Sequence, residues 1–366
     1  TFAVTSLAMG LTVLIGQRIG EGRPDEAGRI VGSGLCLFAV LGAGLTLLMF
    51  VLSPALARLM QAPEEAFRET VSYLRICSAG TLFIVAFNVL GSIFRGIGDS
   101  CMPLITVAIA CVVNIAGDLL LVAGFHLGAA GAAIATIAAQ AISVAISLLV
   151  IARRSLPFRL TRADVRPDWV RIGAILKIGI PLAVQDFLVS VSFAVILAIV
   201  NSLGLTYSAG IGVAEKICAF IMLIPSAYMQ SMSAFVAQNI GAGRPDRAGQ
   251  ALRCGILTAV AASLLLFYVS YFHGTVLAAI FANEQPVILA AADYLRAYAI
   301  DCILTSFLFC FIGYFSGLGK TTFVLIQGIA GAFLVRIPVS FFMSRTAAPT
   351  LFRIGLATPM STVLQI

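Results

Sequence analysis

Apolar runs of about 20 residues follow one another along nearly the whole chain, each closed by a short polar turn. That length lets an α-helix cross the hydrocarbon core of a bilayer. The pattern predicts spans at about 1–17, 30–52, 70–94, 102–125, 128–152, 175–200, 207–237, 251–272, 290–316, 322–344 and 352–366. Turn chemistry marks the breaks: Gly22-Arg23-Pro24-Asp25, Gly243-Arg244-Pro245-Asp246, Gly98-Asp99-Ser100 and Gly319-Lys320-Thr321-Thr322. Period-two alternation is absent, which argues against an outer-membrane barrel. The longest polar stretch, 153–171, holds Pro157, Pro167 and many charges, so it predicts a linker rather than a span.

The polar turns repeat. Residues 17–28 return as residues 238–249, an offset of 238 − 17 = 221, with nine of twelve positions identical. At the same offset Tyr73-Leu74-Arg75 recurs as Tyr294-Leu295-Arg296, and Arg95-Gly96-Ile97-Gly98 as Ser316-Gly317-Leu318-Gly319. The chain is a duplicated polytopic helical protein, and such duplication marks many transporter folds. Subtracting 221 from the span at 175–200 places its partner before residue 1, and the last run is shorter than about 20 residues. The expectation is therefore a fragment of a twelve-span protein that lacks the first and part of the last helix. Six spans per half is even, so the repeat is parallel, with a pseudo-two-fold axis along the membrane normal. The expected fold is all-α: an N-terminal lobe at 1–152, a cytoplasmic linker at 153–172 and a C-terminal lobe at 173–366.

Composition agrees with a membrane protein. The chain is 60% hydrophobic and 11% charged, with a mean hydropathy of +1.06. The net charge of +7 is concentrated in alternate connectors: Arg153, Arg154, Arg159, Arg162, Arg166 and Arg171 in one, Arg18, Arg23 and Arg29 around another, Arg244, Arg247 and Arg253 around its repeat. The other connectors are poor in basic residues, with Arg58, Arg68, Arg345 and Arg353 near two of them and none in 201–207. That asymmetry puts the basic loops in the cytoplasm and removes the reason to expect a nucleic-acid partner. The eight cysteines carry no CxxC pair and lie in or beside apolar spans, as small buried residues do. His126 and His273 are far apart, and no metal-ligand cluster is visible.

The paired Gln-x-Ile-Gly-x-Gly-Arg-Pro-Asp-x-Ala-Gly loops, the Arg95–Ser100 turn, the Asn114-x3-Asp118 pair and the Gly179-Ile-Pro-x3-Gln185 segment together resemble the multidrug and toxic compound extrusion (MATE) family. The resemblance covers essentially the whole chain. It implies twelve helices in two six-helix lobes around a central cavity. It also implies antiport of organic cations and drugs against H+ or Na+, in a multi-pass protein of the bacterial inner membrane. The expected partners are lipids and small amphipathic cations; the protein is expected to be a monomer without a cofactor. The family's best-known proton-linked aspartate lies in its first helix, which has no counterpart in this sequence.

In-span polar groups are the candidates for chemistry, because each must be paired, hydrated or neutralised. Asp118 lies one turn after Asn114 on the same face, as an ion or proton site or as a clamp between helices. Asp186 follows Gln185 beyond Pro181, which is expected to open the seventh helix; cavity and interface readings both stand, and the family's seventh-helix acid sits deeper. Glu215, Ser226 and Ser233, flanked by Met222 and Met229, share one face and suit promiscuous apolar cations, or ordinary packing. Pro225 is expected to kink that helix. Asp301 and Arg336 fall in the tenth and eleventh helices, with structural pairing or lobe-specific cation preference as readings. The coupling-ion candidates are thus Asn114, Asp118, Asp186 and Glu215. The substrate-cavity candidates are Gln185, Met222, Ser226, Met229, Asp301 and Arg336.

Gly20-x-Gly22 lacks the Lys-Ser/Thr of a phosphate loop, so transport is expected to draw on an ion gradient. A lipid-linked precursor flippase of a related superfamily is the alternative, and it would predict a strongly basic cavity. An intramembrane enzyme lacks any HExxH or GxSxG segment, and a channel lacks a filter-like segment.

Overall fold

The computed structural model describes residues 2–59, 63–153, 156–158, 160–161, 164–346 and 349–366. Arg154, Arg159 and Arg162 of the basic connector lie outside the described residues. The helices are α1 Phe2–Gly20, α2 Pro24–Leu59, α3 Glu64–Ala79, α4 Thr81–Gly96, α5 Cys101–Asp118, α6 Gly128–Arg153, α7 Trp169–Asn201 and α8 Leu205–Ile221. They continue with α9 Leu223–Gly241, α10 Pro245–Phe272, α11 Gly274–Ala279, α12 Gln285–Gly317, α13 Thr321–Ile329, α14 Ile337–Ser344, α15 Leu351–Gly355 and α16 Ala357–Gln365. Two π-helical segments adjoin them, Leu119–Gly124 after α5 and Ala330–Arg336 between α13 and α14. Nine helical stretches among the described residues are long and apolar enough to cross a membrane, or ten with the bent α3–α4 pair as one span. The final predicted run is divided between the short helices α15 and α16.

The chain divides into two compact units, 1–177 and 178–366. The repeat is visible in backbone detail. Helices α1 and α9 span 2–20 and 223–241, and α2 and α10 begin at Pro24 and Pro245, all 221 apart. Gly22 and Gly243 have φ of 73° and 67°, and Gly98 and Gly319 have 88° and 73°. Each sits in the left-handed region just past a helix end. The next residue's N–H then reaches back to a carbonyl five residues earlier: Arg23 to Arg18 at 2.9 Å, Arg244 to Asn239 at 2.8 Å, Asp99 to Phe94 and Lys320 to Phe315 both at 2.9 Å. Only glycine enters that region freely, and this closure satisfies carbonyls the helix leaves open. Pro24 and Pro245 then start the next helix where no N–H is needed.

The two units differ at one joint. Gly80 separates α3 from α4, which bend by 46°, whereas α12 continues unbroken through the equivalent position, Asp301. A Cβ at Gly80 would overlap the side chain of Ile137 on α6, so glycine permits the approach there. Two proline expectations resolve differently. Helix α8 ends at Ile221 and α9 starts at Leu223, just before Pro225, which has no N–H to offer the preceding turn. Pro181, by contrast, does not open α7. Asp168 does so, its Oδ1 accepting from the N–H groups of Val170 at 2.9 Å and Arg171 at 3.2 Å. Pro181 lies inside the continuous helix. An acidic N-cap supplies two acceptor contacts, and an interior proline in a long apolar helix forfeits only one bond.

The linker is strapped to α2 within the first unit. Ser33 Oγ donates to the Arg166 carbonyl at 3.2 Å. Arg29 pairs with Asp164 at 3.9 Å, and Asp164 Oδ2 accepts from the N–H and hydroxyl of Thr161 at 3.0 and 2.6 Å. Gly32 lies against the Asp164 carbonyl, where any Cβ would collide. The Thr161 hydroxyl and N–H hold the Asp164 carboxyl below its ordinary value; burial opposes them, and Arg29 and Arg171 add to the lowering. A depressed folded pKa means the strap is intact above the ordinary carboxylate value of about 4 and loosens as pH falls through the lower, folded value. Gly32→Val should therefore expose the linker to proteolysis at neutral pH and destabilise by about 1–3 kcal/mol through overpacking. The unsubstituted protein should show comparable linker cleavage only in strong acid, with pepsin as the probe.

Candidate functional site

Each unit encloses polar groups inside its spans. In the first unit α5 carries Asn114 and Asp118. Asn114 Nδ2 donates to Thr136 Oγ1 on α6 at 3.3 Å, and Thr136 donates to the Ala132 carbonyl at 2.9 Å. Asn114 thus turns to α6 and not to Asp118. Asp118 is half-buried, and its covered Oδ1 has no hydrogen-bond partner. No ion pair among the described residues involves it. Gly117 brings α5 close to α6, since a Cβ there would stand 2.8 Å from Ala135 Cβ. Tyr73 of α3 is in electrostatic reach of Asp118. The π-helical segment begins at the next residue, a helix irregularity frequent at functional sites.

In the second unit Asp301 of α12 and Arg336 are 1% and 5% exposed, the only charged residues buried among those described. Arg336 donates to Ser192 Oγ of α7 at 3.1 Å, and its guanidinium lies 4.5 Å from the centre of the Phe193 ring. Thr362 of α16 hydrogen-bonds the Asp301 carboxylate, and Arg336 acts on it electrostatically from beyond salt-bridge distance. Asp301 Oδ1 and Arg336 Nε remain without partners. The stacked Tyr294 and Tyr298, ring centres 6.4 Å apart, line the same region of α12.

The remaining sequence candidates are dispersed through this unit. Gln185 is buried against Gly328 of α13, where a Cβ would sit 2.7 Å from its side chain. Asp186 is half-buried on α7, and its carbonyl accepts from Ser190 at 2.7 Å. Glu215 is half-buried on α8, in electrostatic reach of Cys218 and Tyr294. Met222 occupies the α8–α9 break, which separates Glu215 from Ser226, Met229 and Ser233 on α9. Met229 and Ser233 present their backbone to Gly313 and Gly317 of α12, so that part of the stripe packs against a helix. Sequence reading missed Thr136, Ser192, Phe193 and Thr362. Each is a small or aromatic residue in an apolar run, and nothing in one sequence marks which of them meets a charge.

The MatE family model matches residues 1–120 and 181–342. The chain belongs to the MatE family. A curated relative, the "Probable multidrug resistance protein YpnP" of Bacillus subtilis, is 29% identical over 339 residues, covering 91% of this chain and 74% of the relative. A "FAD transporter" of Shewanella oneidensis is 27% identical, covering 79% of this chain and 66% of that protein. Among solved structures, a MOP superfamily transporter from Pyrococcus furiosus superposes with a TM-score of 0.94 at 20% identity, covering 99% of this chain and 81% of that one. An outward-facing multidrug resistance MATE family transporter of the same superfamily superposes at 0.93 with the same identity and coverage. These establish the two-lobe helical fold. As a MatE protein the chain is a multi-pass membrane transporter related to multidrug efflux proteins, not an enzyme.

The buried pair in this MatE fold sets a testable asymmetry. Removing one partner strands the other charge, which costs about 3–5 kcal/mol, whereas removing both costs little. Asp301→Asn should thus sharply lower the melting temperature and membrane abundance. The double variant Asp301→Asn/Arg336→Met should recover most of the loss in the same assay.

Proposed function

We propose that the whole protein is a secondary active antiporter of the bacterial inner membrane. It exports amphipathic, often cationic compounds in exchange for H+ or Na+, by alternating access of two lobes. The observation that carries this reading is Asp118, an in-span carboxylate with a covered, unpartnered oxygen and no basic neighbour paired to it. Such a group is too costly to leave bare, so it takes a proton or a cation. Asn114, one turn before it on α5, and Thr136, its partner on α6, supply neutral oxygens on the same helix pair, the hard donors that suit Na+. A carboxylate that must be neutralised by an exchangeable ion is what gradient coupling requires. Family membership supports an exporter, and the chain carries no phosphate loop, which favours a gradient over ATP. Gln185, Met222, Ser226 and Met229 are the groups proposed to meet substrate, and Asp186 and Glu215 are further proposed ion-binding carboxylates. Lipid surrounds a protein proposed to act as a monomer.

The experiment uses the whole protein in liposomes and a fluorescent organic cation. Export should require a pH or sodium gradient and ignore ATP. Asp118→Asn preserves size and hydrogen bonding but removes the charge and the titratable proton. It should reach the membrane at near-normal levels and lose at least tenfold of gradient-driven export, about 1.4 kcal/mol of coupling or more. Normal transport by that variant would retire Asp118 as the coupling group. ATP-dependent transport with both gradients collapsed would retire the antiport reading.

A further inference from the structure

Helix α10 runs outward from the basic corner at Arg244, so α8, α12 and α15 begin at the opposite, outer face. There, with α11, they enclose a cavity of about 410 Å³. Small-ligand sites run to about 300–1,000 Å³. Its polar lining is Thr206, Tyr207, Thr275, Asp293, Arg296 and Thr350, all within the second unit.

Two opposite charges share this cavity without meeting. Asp293 and Arg296 stand three apart on α12, a spacing at which an acid and a base can pair. No ion pair among the described residues joins them. Asp293 Oδ2 accepts instead from the Phe352 N–H of α15 at 2.9 Å. Arg296 is exposed, with no aromatic ring against its guanidinium among the described residues. The first unit handles the equivalent arginine differently. At the 221 offset Arg296 answers to Arg75, whose guanidinium lies 5.6 Å from the centre of the Phe50 ring, and Asp293 answers to Ser72. The separated charge pair belongs to the second unit alone.

The cavity lies at the membrane interface. The outer end of α10 carries a cluster of rings, Tyr268 standing 5.3 Å from Phe272 and 5.6 Å from His273 between ring centres. Aromatic belts of this kind mark headgroup depth. Thr275 follows two residues beyond His273. Leu205, Val276 and Leu289, in or beside the lining, are exposed apolar side chains. Helices α8 and α11 also line a second cavity of about 320 Å³, which is almost wholly apolar, with Ile217, Phe220, Leu277 and Ile280 among its walls.

We propose that the polar cavity binds the phosphoethanolamine headgroup of an outer-leaflet phospholipid, its ammonium at Asp293 and its phosphate at Arg296. A primary ammonium has three N–H donors for a carboxylate, and a guanidinium forks onto phosphate oxygens. A zwitterion satisfies both charges at once, whereas a simple anion or cation leaves one of them bare. The apolar cavity on the same two helices takes an acyl chain, which makes the ligand a lipid and not a free zwitterion. The site stands apart from the antiporter reading, and no transport is measured in its test.

The whole protein, purified and delipidated in detergent, is titrated with three probes while its melting temperature is followed. The probes are phosphatidylethanolamine, phosphatidylglycerol with the same chains, and free phosphoethanolamine. Phosphatidylethanolamine should stabilise the protein at a concentration roughly tenfold or more below that of phosphatidylglycerol, the worth of one charge-assisted hydrogen bond. Free phosphoethanolamine should need far more than the lipid. Asp293→Asn keeps an acceptor for the Phe352 N–H and should abolish the preference between the two lipids. Arg296→Gln should weaken both by roughly tenfold. Arg75→Gln, at the equivalent position of the first unit, should change neither. Equal midpoints for the two lipids, or midpoints untouched by Arg296→Gln, would overturn the proposal. Free phosphoethanolamine as effective as the lipid would overturn the lipid as its source. Arg296 is exposed and unpaired, so its variant and the lipid comparison decide the matter even where Asp293→Asn fails to fold.

Discussion

An uncompensated charge inside an apolar span is far more costly than almost any packing defect, and the organisation of this MatE protein follows from how each such charge is handled. Most charges are kept in connectors, where the linker strap uses several of them to fix the start of α7. Two are buried and offset one another, Asp301 and Arg336. Asp118 is half-buried, with an unpartnered oxygen and no ion pair among the described residues. A site that is permanently compensated contributes to the stability of the fold. A site compensated only by a mobile ion can do transport.

The duplication gives the two units the same helix starts and the same left-handed glycines, and therefore the same backbone corners. Within that shared frame the side chains have diverged. Gly80 permits a bend and close contact with α6, and its equivalent is the buried acid of an unbroken helix. The repeat tolerates this because each unit is compact by itself. The constraint common to both is the backbone closure at the loop, not the identity of the polar groups inside.

Much of this was legible in the sequence. Spans follow from hydropathy, and the paired loops announce themselves because glycine and proline at fixed places have few physical alternatives. The break near Pro225 was readable for the same reason. The start of α7 was not: Pro181 looked like a boundary, but Asp168 upstream offered the stronger cap and α7 absorbed the proline. The site was half legible. Asn114, Asp118, Asp301 and Arg336 stand out as polar residues in apolar runs. Their partners Thr136, Ser192, Phe193 and Thr362 do not, because a hydroxyl or a ring is unremarkable in a membrane helix until tertiary packing sets a charge beside it. The periodicity that grouped Glu215 with Ser226 and Ser233 assumed one unbroken helix, and the interruption at Met222 removes that assumption.

The central claim is that a carboxylate able to take an exchangeable ion, Asp118, couples this transporter to its gradient. The ion-to-substrate stoichiometry tests it most directly. In liposomes holding the whole protein, the steady-state substrate gradient is measured against a series of imposed ion gradients, with the membrane potential clamped. The account predicts that the logarithm of the substrate ratio rises with the logarithm of the ion ratio at a slope of at least one. A slope of zero would mean that no ion is coupled at all.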